Sequence, residues 1–440
     1  MKVIEEKDIF YFENQIILVN YLTGACDRIN QNLMEALENK KYEYIDDQTL
    51  DKLKSRKYIF DKEDDYNLFV KKINEKLIFE KEHAYPNFLI IPTYDCNLSC
   101  PYCFEKKYDI CNYNYENNLW IDKVFENIDN IVRDYKKNNE QYYNSKNIEV
   151  TLMGGEPLLE RNKSIISVIV QKIKDRGFSY DVVSNGVCID EYMDIFLNYK
   201  PKYIQITLDG TKEYHDKRRV FKSGKGTFNR IIHNIQQLSK YKINVTIRLN
   251  LDIDNIDNLE EFIRYIEDFY KNNNYVYPYI YPVQDGGCSY NKNIGNELDY
   301  IKKVNYIRKK MKIEKFKFMF HGSELIDSIE NNKKMKYKMY NCSAQNNQYI
   351  FDYKGNIYKC WFGVGNNKYA ISNKGKMNKL EDDIWKNRNI FTLKKCKECK
   401  YRYICGGGCV NRLLEYGESI NQPNCKNYYN LIEEQLKGII

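Results

Sequence analysis

Residues 95–105 read DCNLSCPYCFE and place three cysteines, Cys96, Cys100 and Cys103, within eight positions. A closed structural zinc site takes four protein ligands, and C-x3-C-x2-C supplies three. An iron–sulfur cube has four irons, so three thiolates leave one iron open to a ligand from outside the chain. The preceding FLIIPTYD is a short apolar run that predicts a strand feeding into a loop. Tyr102 stands between the second and third cysteines, where its ring could stack on a flat ligand.

The chain has 440 residues, enough for two or three domains, and 14 cysteines. Cys26, Cys111, Cys188 and Cys288 are scattered, whereas Cys342, Cys360, Cys396, Cys399, Cys405, Cys409 and Cys425 crowd the last hundred residues. Two such clusters do not arise together by chance. The net charge of +8 is spread along the chain, which reads as a solvated surface rather than a polyanion site, so no nucleic-acid partner is expected. The start, MKVIEEKDIF, lacks the charged-then-apolar pattern of a signal peptide, and no apolar run reaches the roughly 18 residues of a membrane span. A cytoplasmic protein without membrane association is expected. In that reducing compartment clustered cysteines point to metal ligands rather than disulfides.

A second signal is IEVTLMGGEP at 148–157, a β-branched strand that ends in Gly154, Gly155, Glu156 and Pro157. Paired glycines permit close backbone approach, and the Glu156 carboxylate can accept from an ammonium group. Alone, GGEP also suits a plain strand-ending turn. Together, C-x3-C-x-aromatic-C and GGEP resemble the radical SAM enzymes. The resemblance implies that Cys96, Cys100 and Cys103 hold a 4Fe–4S cluster and act as the catalytic center. The amino and carboxylate groups of S-adenosylmethionine would chelate its open iron, with Tyr102, Gly154, Gly155, Glu156 and Pro157 around the cofactor. One electron would then cleave the cofactor to a 5′-deoxyadenosyl radical that abstracts hydrogen from an unactivated C–H bond.

Downstream, strand and helix patterns alternate as a parallel barrel requires. SYDVVSNGVCID ends a strand at Ser184 and Asn185, YIQITLDG at Asp209 and Gly210, and KINVTIRLNLD carries Arg248 and Asn250. GTFNRIIHNIQQL has helical spacing, with Thr227 as a candidate cap. The expected fold class is α/β, a partial (β/α)6 TIM-like barrel, whose sites gather at the C-terminal ends of strands. The resemblance gives Ser184, Asn185 and Arg248 cofactor contacts; each also suits a strand-end turn. The four histidines show no ligand spacing.

Gly355-x4-Cys360, then C-x2-C-x5-C-x3-C at 396–409 with Cys425 beyond, resembles the SPASM extension of radical SAM peptide modifiers. That resemblance implies two auxiliary 4Fe–4S clusters, three clusters in all. One takes Cys396, Cys399, Cys405 and Cys425, the other Cys342, Cys360 and Cys409. A zinc ribbon is the alternative, although seven cysteines exceed one zinc site. The three-cysteine cluster has a position for a substrate thiolate, unless Cys288 folds back to fill it.

The first eighty residues contain neither cluster. IFYFENQIILVNYLTGACDRIN reads as strands around a Thr23-Gly24 turn, followed by helical spacing in QNLMEALENK and QTLDKLKSRKYIF. This unit resembles the winged-helix element that binds leader peptides of ribosomal natural products; a cap on the barrel is the alternative. FVKKINEKLIFEKEH is expected to connect it to the barrel. The expected domains are therefore 1–82 for leader recognition, 83–335 for the barrel and 336–440 for the SPASM region.

The whole resembles a peptide maturase that cross-links a ribosomal precursor through cysteine thioethers. Its partners would be that precursor, with leader and Cys-containing core, and a flavodoxin or ferredoxin as electron donor. A sulfatase-maturating enzyme is the second reading; that group carries an acidic residue after the Gly-x4-Cys cysteine, where this chain has Trp361. Carbon–carbon cross-linking, epimerisation and a non-catalytic electron carrier complete the alternatives.

Overall fold

The computed structural model describes residues 1–107, 119–284, 294–366, 369–373 and 376–440. Strand β1 (Lys2–Val3) is followed by β2 (Lys7–Phe12), β3 (Gln15–Asn20) and β4 (Cys26–Ile29), of which the last three form an antiparallel sheet. Asn30 caps α1 (Gln31–Glu38) by accepting from Leu33 N–H, and Asp46 caps α2 (Asp47–Ser55) by accepting from Thr49 N–H. The chain returns through β5 (Ile59–Phe60), antiparallel to β1. The stretch expected as a connection is most of a twenty-residue helix, α3 (Glu63–Glu82). Its charges face solvent while Tyr66, Ile73 and Leu77 are buried at helical spacing.

This unit packs on the cysteine-rich tail. Leu37, Leu53, Phe60 and Leu77 share a core with Ile390, Leu393, Cys396 and Tyr403. On the other face Phe10, Ile17 and Tyr21 meet Ile404, Tyr428 and Ile432. Polar anchors cross the same seam: Glu6 pairs with Arg402 at 2.6 Å, and Asp8 pairs with Lys400 at 2.5 Å while accepting from Tyr401 at 2.6 Å. Glu6 is 1% exposed. Glu6→Ala leaves a largely buried guanidinium without its carboxylate, so a loss of about 3 kcal/mol is expected, read as a thermal midpoint lowered by several degrees.

Beyond α3, the strands β6 (Asn87–Ile91), β7 (Glu149–Leu152), β8 (Ser179–Ser184), β9 (Ile204–Thr207), β10 (Val245–Leu251) and β11 (Val276–Pro282) lie parallel, each beside its neighbor in the chain. Helices α4 (Leu119–Asn138), α5 (Lys163–Asp175), α6 (Met193–Asn198), α7 (Lys212–Arg218), α8 (Phe228–Lys240) and α9 (Leu259–Phe269) occupy the crossovers. Strand interiors of Val, Ile and Leu are buried under helix stripes such as Ile166, Ile169 and Ile173, or Ile231, Ile235 and Leu238. The α/β class and the six-stranded partial barrel are those expected. Thr227 does not cap α8 with its side chain; the Asp216 carboxylate accepts from Thr227 and Phe228 N–H at 2.8 and 2.9 Å instead.

The barrel ends in α10 (Glu297–Lys310), a short β12 (Lys317–Phe318) and α11 (Ser323–Glu330). The tail then adds β13 (Gln348–Asp352) in parallel to β6, followed by β14 (Ile357–Tyr358). The tail is thus continuous with the sheet beside the trio loop. Among the described residues no helix is long and apolar enough to cross a membrane.

Candidate active site

The trio lies on the loop after β6, and the GGEP turn after β7 holds that loop by its backbone. Gly155 N–H donates to Thr93 O at 3.1 Å and Glu156 N–H to Asp95 O at 2.8 Å. A Cβ on Gly155 would stand 2.2 Å from Asp95 O and 2.5 Å from Tyr94 O. The paired glycines therefore admit the cysteine loop itself. From the other side Ser99 N–H donates to Val220 O and Lys222 N–H to Asn97 O, at 2.9 and 3.2 Å. Asp95 pairs with Lys222 at 2.9 Å and also with Arg161. Cys100 is buried, and Cys96 and Cys103 are half-buried. Burial pushes the Cys96 thiol up to about 12 and Cys103 up to about 11; Glu156 and Glu105 add to these shifts, as does the shared neighbor Cys100. Metal loading here would release protons.

Glu156 is 1% exposed and accepts from Leu158 N–H at 2.9 Å, Ser184 Oγ at 2.9 Å and Asn185 N–H at 2.6 Å. Protein donors thus occupy the carboxylate to which the sequence reading gave an ammonium group. Asn185 also donates from Nδ2 to Asn97 Oδ1 at 2.7 Å, so Ser184 and Asn185 both meet the trio through their neighbors. Pro157 O accepts from Asn162 Nδ2 at 3.2 Å.

Tyr102 donates to Asp209 and accepts from Arg219 Nη1 at 2.6 Å and Asn250 Nδ2 at 3.3 Å. The Arg218 guanidinium covers its ring at 5.0 Å and is held by Asp252 at 2.6 Å. Arg248 lies further out: Nε donates to Asn250 Oδ1 at 2.7 Å, and the guanidinium stacks 4.7 Å over Tyr281. Tyr281 in turn feels Cys409 and Cys342. Arg248 therefore stands between the trio network and the tail cysteines.

His215, fully buried, accepts from Asp209 N–H at Nδ1, 3.3 Å, and donates from Nε2 to Thr227 Oγ1, 3.0 Å. Burial, then the Arg219 charge, lowers its pKa to about 3. The unfolded state therefore binds the extra proton between about pH 6.5 and 3, and stability falls as pH drops through that window. Going from pH 7 to 5 is expected to cost about 2 kcal/mol, a slope that a His215→Asn variant loses in denaturant titrations.

Two residues of the site escaped the sequence reading. Arg219, 7% exposed, has a buried Nε with no acceptor among the described residues; after burial, Cys100 acts most strongly on it. Glu105, 9% exposed, has a buried Oε1 with no donor among the described residues. The only sequence signals were adjacency to Cys103 and a paired arginine after HDK.

The tail thiols sort into two groups. After burial, Cys409 raises the Cys342 thiol's pKa and Cys342 and Cys409 raise that of Cys360, whereas Cys405, Cys399 and Cys425 raise that of Cys396. Arg388 braces both, donating to Gly407 O at 2.9 Å and Gly408 O at 3.2 Å. Behind Cys360, the fully buried Lys359 pairs with Asp382 at 2.8 Å. Phe362 packs on Phe104 with ring centroids 5.0 Å apart, which links this group to the trio loop. Among the described residues no three His, Cys, Asp or Glu side chains close to the spacing of one metal ion. Sulfurs bound to a cube stand farther apart than those around one zinc at about 2.3 Å. All-sulfur donor sets of three, three and four, beside the open Nε of Arg219, fit iron–sulfur clusters. Cys111 and Cys288 lie outside the described residues.

Residues 90–266 match the model of the radical SAM superfamily. This stretch of the chain is a radical SAM domain. The chain is 28% identical over 367 residues to the cysteine-type anaerobic sulfatase-maturating enzyme of Clostridium novyi, covering 78% of this chain and 93% of that protein. The corresponding enzyme of Clostridium perfringens strain ATCC 13124 is 23% identical, with 78% and 94% covered. In fold it resembles anSMEcpe with bound AdoMet, at a TM-score of 0.58 and 18% identity, over 80% of this chain and 97% of that one. It also resembles Streptococcus suis SuiB bound to its precursor peptide SuiA, at 0.53 and 17%, over 97% and 99%.

Proposed function

We propose that this radical SAM enzyme is a maturase that cross-links a ribosomally made precursor peptide through cysteine thioethers. The supporting observation is extent. The likeness to peptide-bound SuiB runs over 97% of the chain and so takes in most of residues 1–82, while that to anSMEcpe covers 80%. In this reading residues 1–82 take the leader, 83–335 form the barrel and 336–440 carry the auxiliary cysteines.

Cys96, Cys100 and Cys103 hold one 4Fe–4S cluster; Cys342, Cys360 and Cys409, and Cys396, Cys399, Cys405 and Cys425, hold two more. When bound, the first cluster and S-adenosylmethionine supply one-electron cleavage and hydrogen abstraction from an unactivated C–H bond. Gly154 and Gly155 fix the loop, and Glu156 anchors Ser184 and Asn185 against it. Tyr102, tied to Asp209 and Asn250, sets the position of Arg219. Arg248 and Tyr281 line the way to the three-thiol group, which leaves a place for a substrate cysteine unless Cys288 takes it. An electron donor of the flavodoxin or ferredoxin class and a cytoplasmic setting complete the proposal.

The sequence identity to the Clostridium novyi enzyme favors a second reading, oxidation of a cysteine in a sulfatase. Against it stands Trp361, 40% exposed, where that group carries an acid. The test incubates reduced, reconstituted enzyme and S-adenosylmethionine with the peptide of a small Cys-rich reading frame beside the gene, and with a sulfatase-type cysteine peptide. Thioether formation removes two hydrogens and leaves the cysteine unreactive to iodoacetamide. Conversion of the sulfatase peptide alone would establish the second reading instead.

A further inference from the structure

The tail carries two buried cations beside its cysteine groups, and they differ in counter-charge. Lys359, fully buried, pairs with Asp382 at 2.8 Å. Arg388 is 3% exposed, and its guanidinium donates to carbonyls: Nε to Ile420 O at 2.8 Å, Nη1 to Gly408 O at 3.2 Å, and Nη2 to Gly407 O and Gln422 O, both at 2.9 Å. Among the described residues no carboxylate pairs with it. A buried charge without a counter-charge is costly, so its surroundings should hold an anion.

The cysteine groups are placed to supply it. A Cβ on Gly407 would lie 3.6 Å from Arg388 Nη1 and 3.9 Å from Cys396 Sγ, so one glycine separates the guanidinium from the four-thiol group. Gly408 O, which accepts from Nη1, belongs to the peptide bond that leads into Cys409 of the three-thiol group. The Arg388 carbonyl accepts from Gln345 Nε2 at 2.9 Å, and Gln345 N–H donates to Cys342 O at 3.0 Å, which ties the same residue to a second thiol of that group. Burial works against the Arg388 charge. The charges that favor it are Cys396 and Cys405 of one group with Cys409 and Cys342 of the other. A cube bound by thiolates gains one more negative charge on reduction, and the charge around it is one of the levers on its potential.

Resting on the reading of the tail cysteines as two iron–sulfur groups, we propose that Arg388 is their shared counter-cation, a single guanidinium that favors the reduced form of both auxiliary clusters and ties their potentials together. Arg388 then sets potentials as well as bracing the Gly407–Gly408 turn.

The test is an anaerobic redox titration followed by electron paramagnetic resonance on reconstituted wild type, Arg388→Gln and Arg388→Lys, with iron counted in each. Gln keeps a donor for the carbonyls and drops the charge, whereas Lys keeps the charge and drops the planar fork. Arg388→Gln is expected to disfavor reduction of both auxiliary clusters by on the order of tenfold, a fall of about 59 mV for a one-electron couple. The trio cluster should stay at its wild-type potential, and Arg388→Lys should recover most of the loss. A shift below twofold at either auxiliary cluster in Arg388→Gln overturns the proposal. So does an equal shift in Gln and Lys, or at all three clusters, which marks Arg388 as a brace only. Where Arg388→Gln fails to hold auxiliary iron, Arg388→Lys decides: iron retained there supports the shared charge, and iron lost there too overturns it. A wild-type enzyme that holds only about four irons overturns the reading of the tail cysteines itself, and the proposal with it.

Discussion

Alanine at Cys96, Cys100 or Cys103 is expected to abolish reductive cleavage of S-adenosylmethionine. In the proposed site each thiol is one of three ligands, and two would not retain a cube that already has one iron open. Among the described residues the loop offers no substitute: Cys188 lies near Asn97, 3.7 Å from its Nδ2, but follows a different strand. The tail groups use separate ligands, so the auxiliary clusters should persist in these variants. Reconstituted wild type should hold on the order of 12 irons and a triple alanine variant about 8, if all three clusters are cubes. Full 5′-deoxyadenosine production by any single variant would remove the trio from the mechanism.

Gly155→Ala is expected to impair cleavage almost as severely, without touching a ligand. The new methyl would lie 2.2 Å from Asp95 O and 2.5 Å from Tyr94 O, both backbone atoms that cannot rotate away. Either the loop carrying Cys96 moves or the Glu156 turn does, and the 2.8 Å bond between them breaks. Displacement of about 1 Å at a reacting center costs about 100-fold. Gly224→Ala is the control: its φ is +83°, but nothing lies within 4 Å of the added Cβ, so only a few-fold change is expected. Initial rates of 5′-deoxyadenosine formation compare the two. Near-normal cleavage by Gly155→Ala would show that the GGEP turn does not set the trio.

What was legible in the sequence is what chemistry and periodicity place close together along the chain. The trio, the GGEP turn and the six strands follow from short spacings, and the strand-end position of Ser184, Asn185 and Asp209 follows from the barrel. The occupation of Glu156 was not legible, because two of its three donors, Ser184 and Asn185, come from the end of the next strand. Arg219 and Glu105 gain meaning only from burial and from partners they do not have, which spacing cannot show. Helix α3 was read as a connection because its charges dominate the composition, yet three buried apolar residues suffice to seat it. The seam between residues 1–82 and the tail was equally hidden. Deleting those residues would uncover Ile390, Leu393 and Tyr403 beside Cys396, so the tail is expected to lose stability with them.

Radical chemistry at the trio is tested most directly by the 5′-deoxyadenosine formed when anaerobically reconstituted wild-type enzyme is reduced with dithionite and given S-adenosylmethionine. The predicted result is 5′-deoxyadenosine in molar excess over enzyme and none from Cys100→Ala. An enzyme fully loaded with iron, reduced and saturated with S-adenosylmethionine that yields no 5′-deoxyadenosine would contradict it.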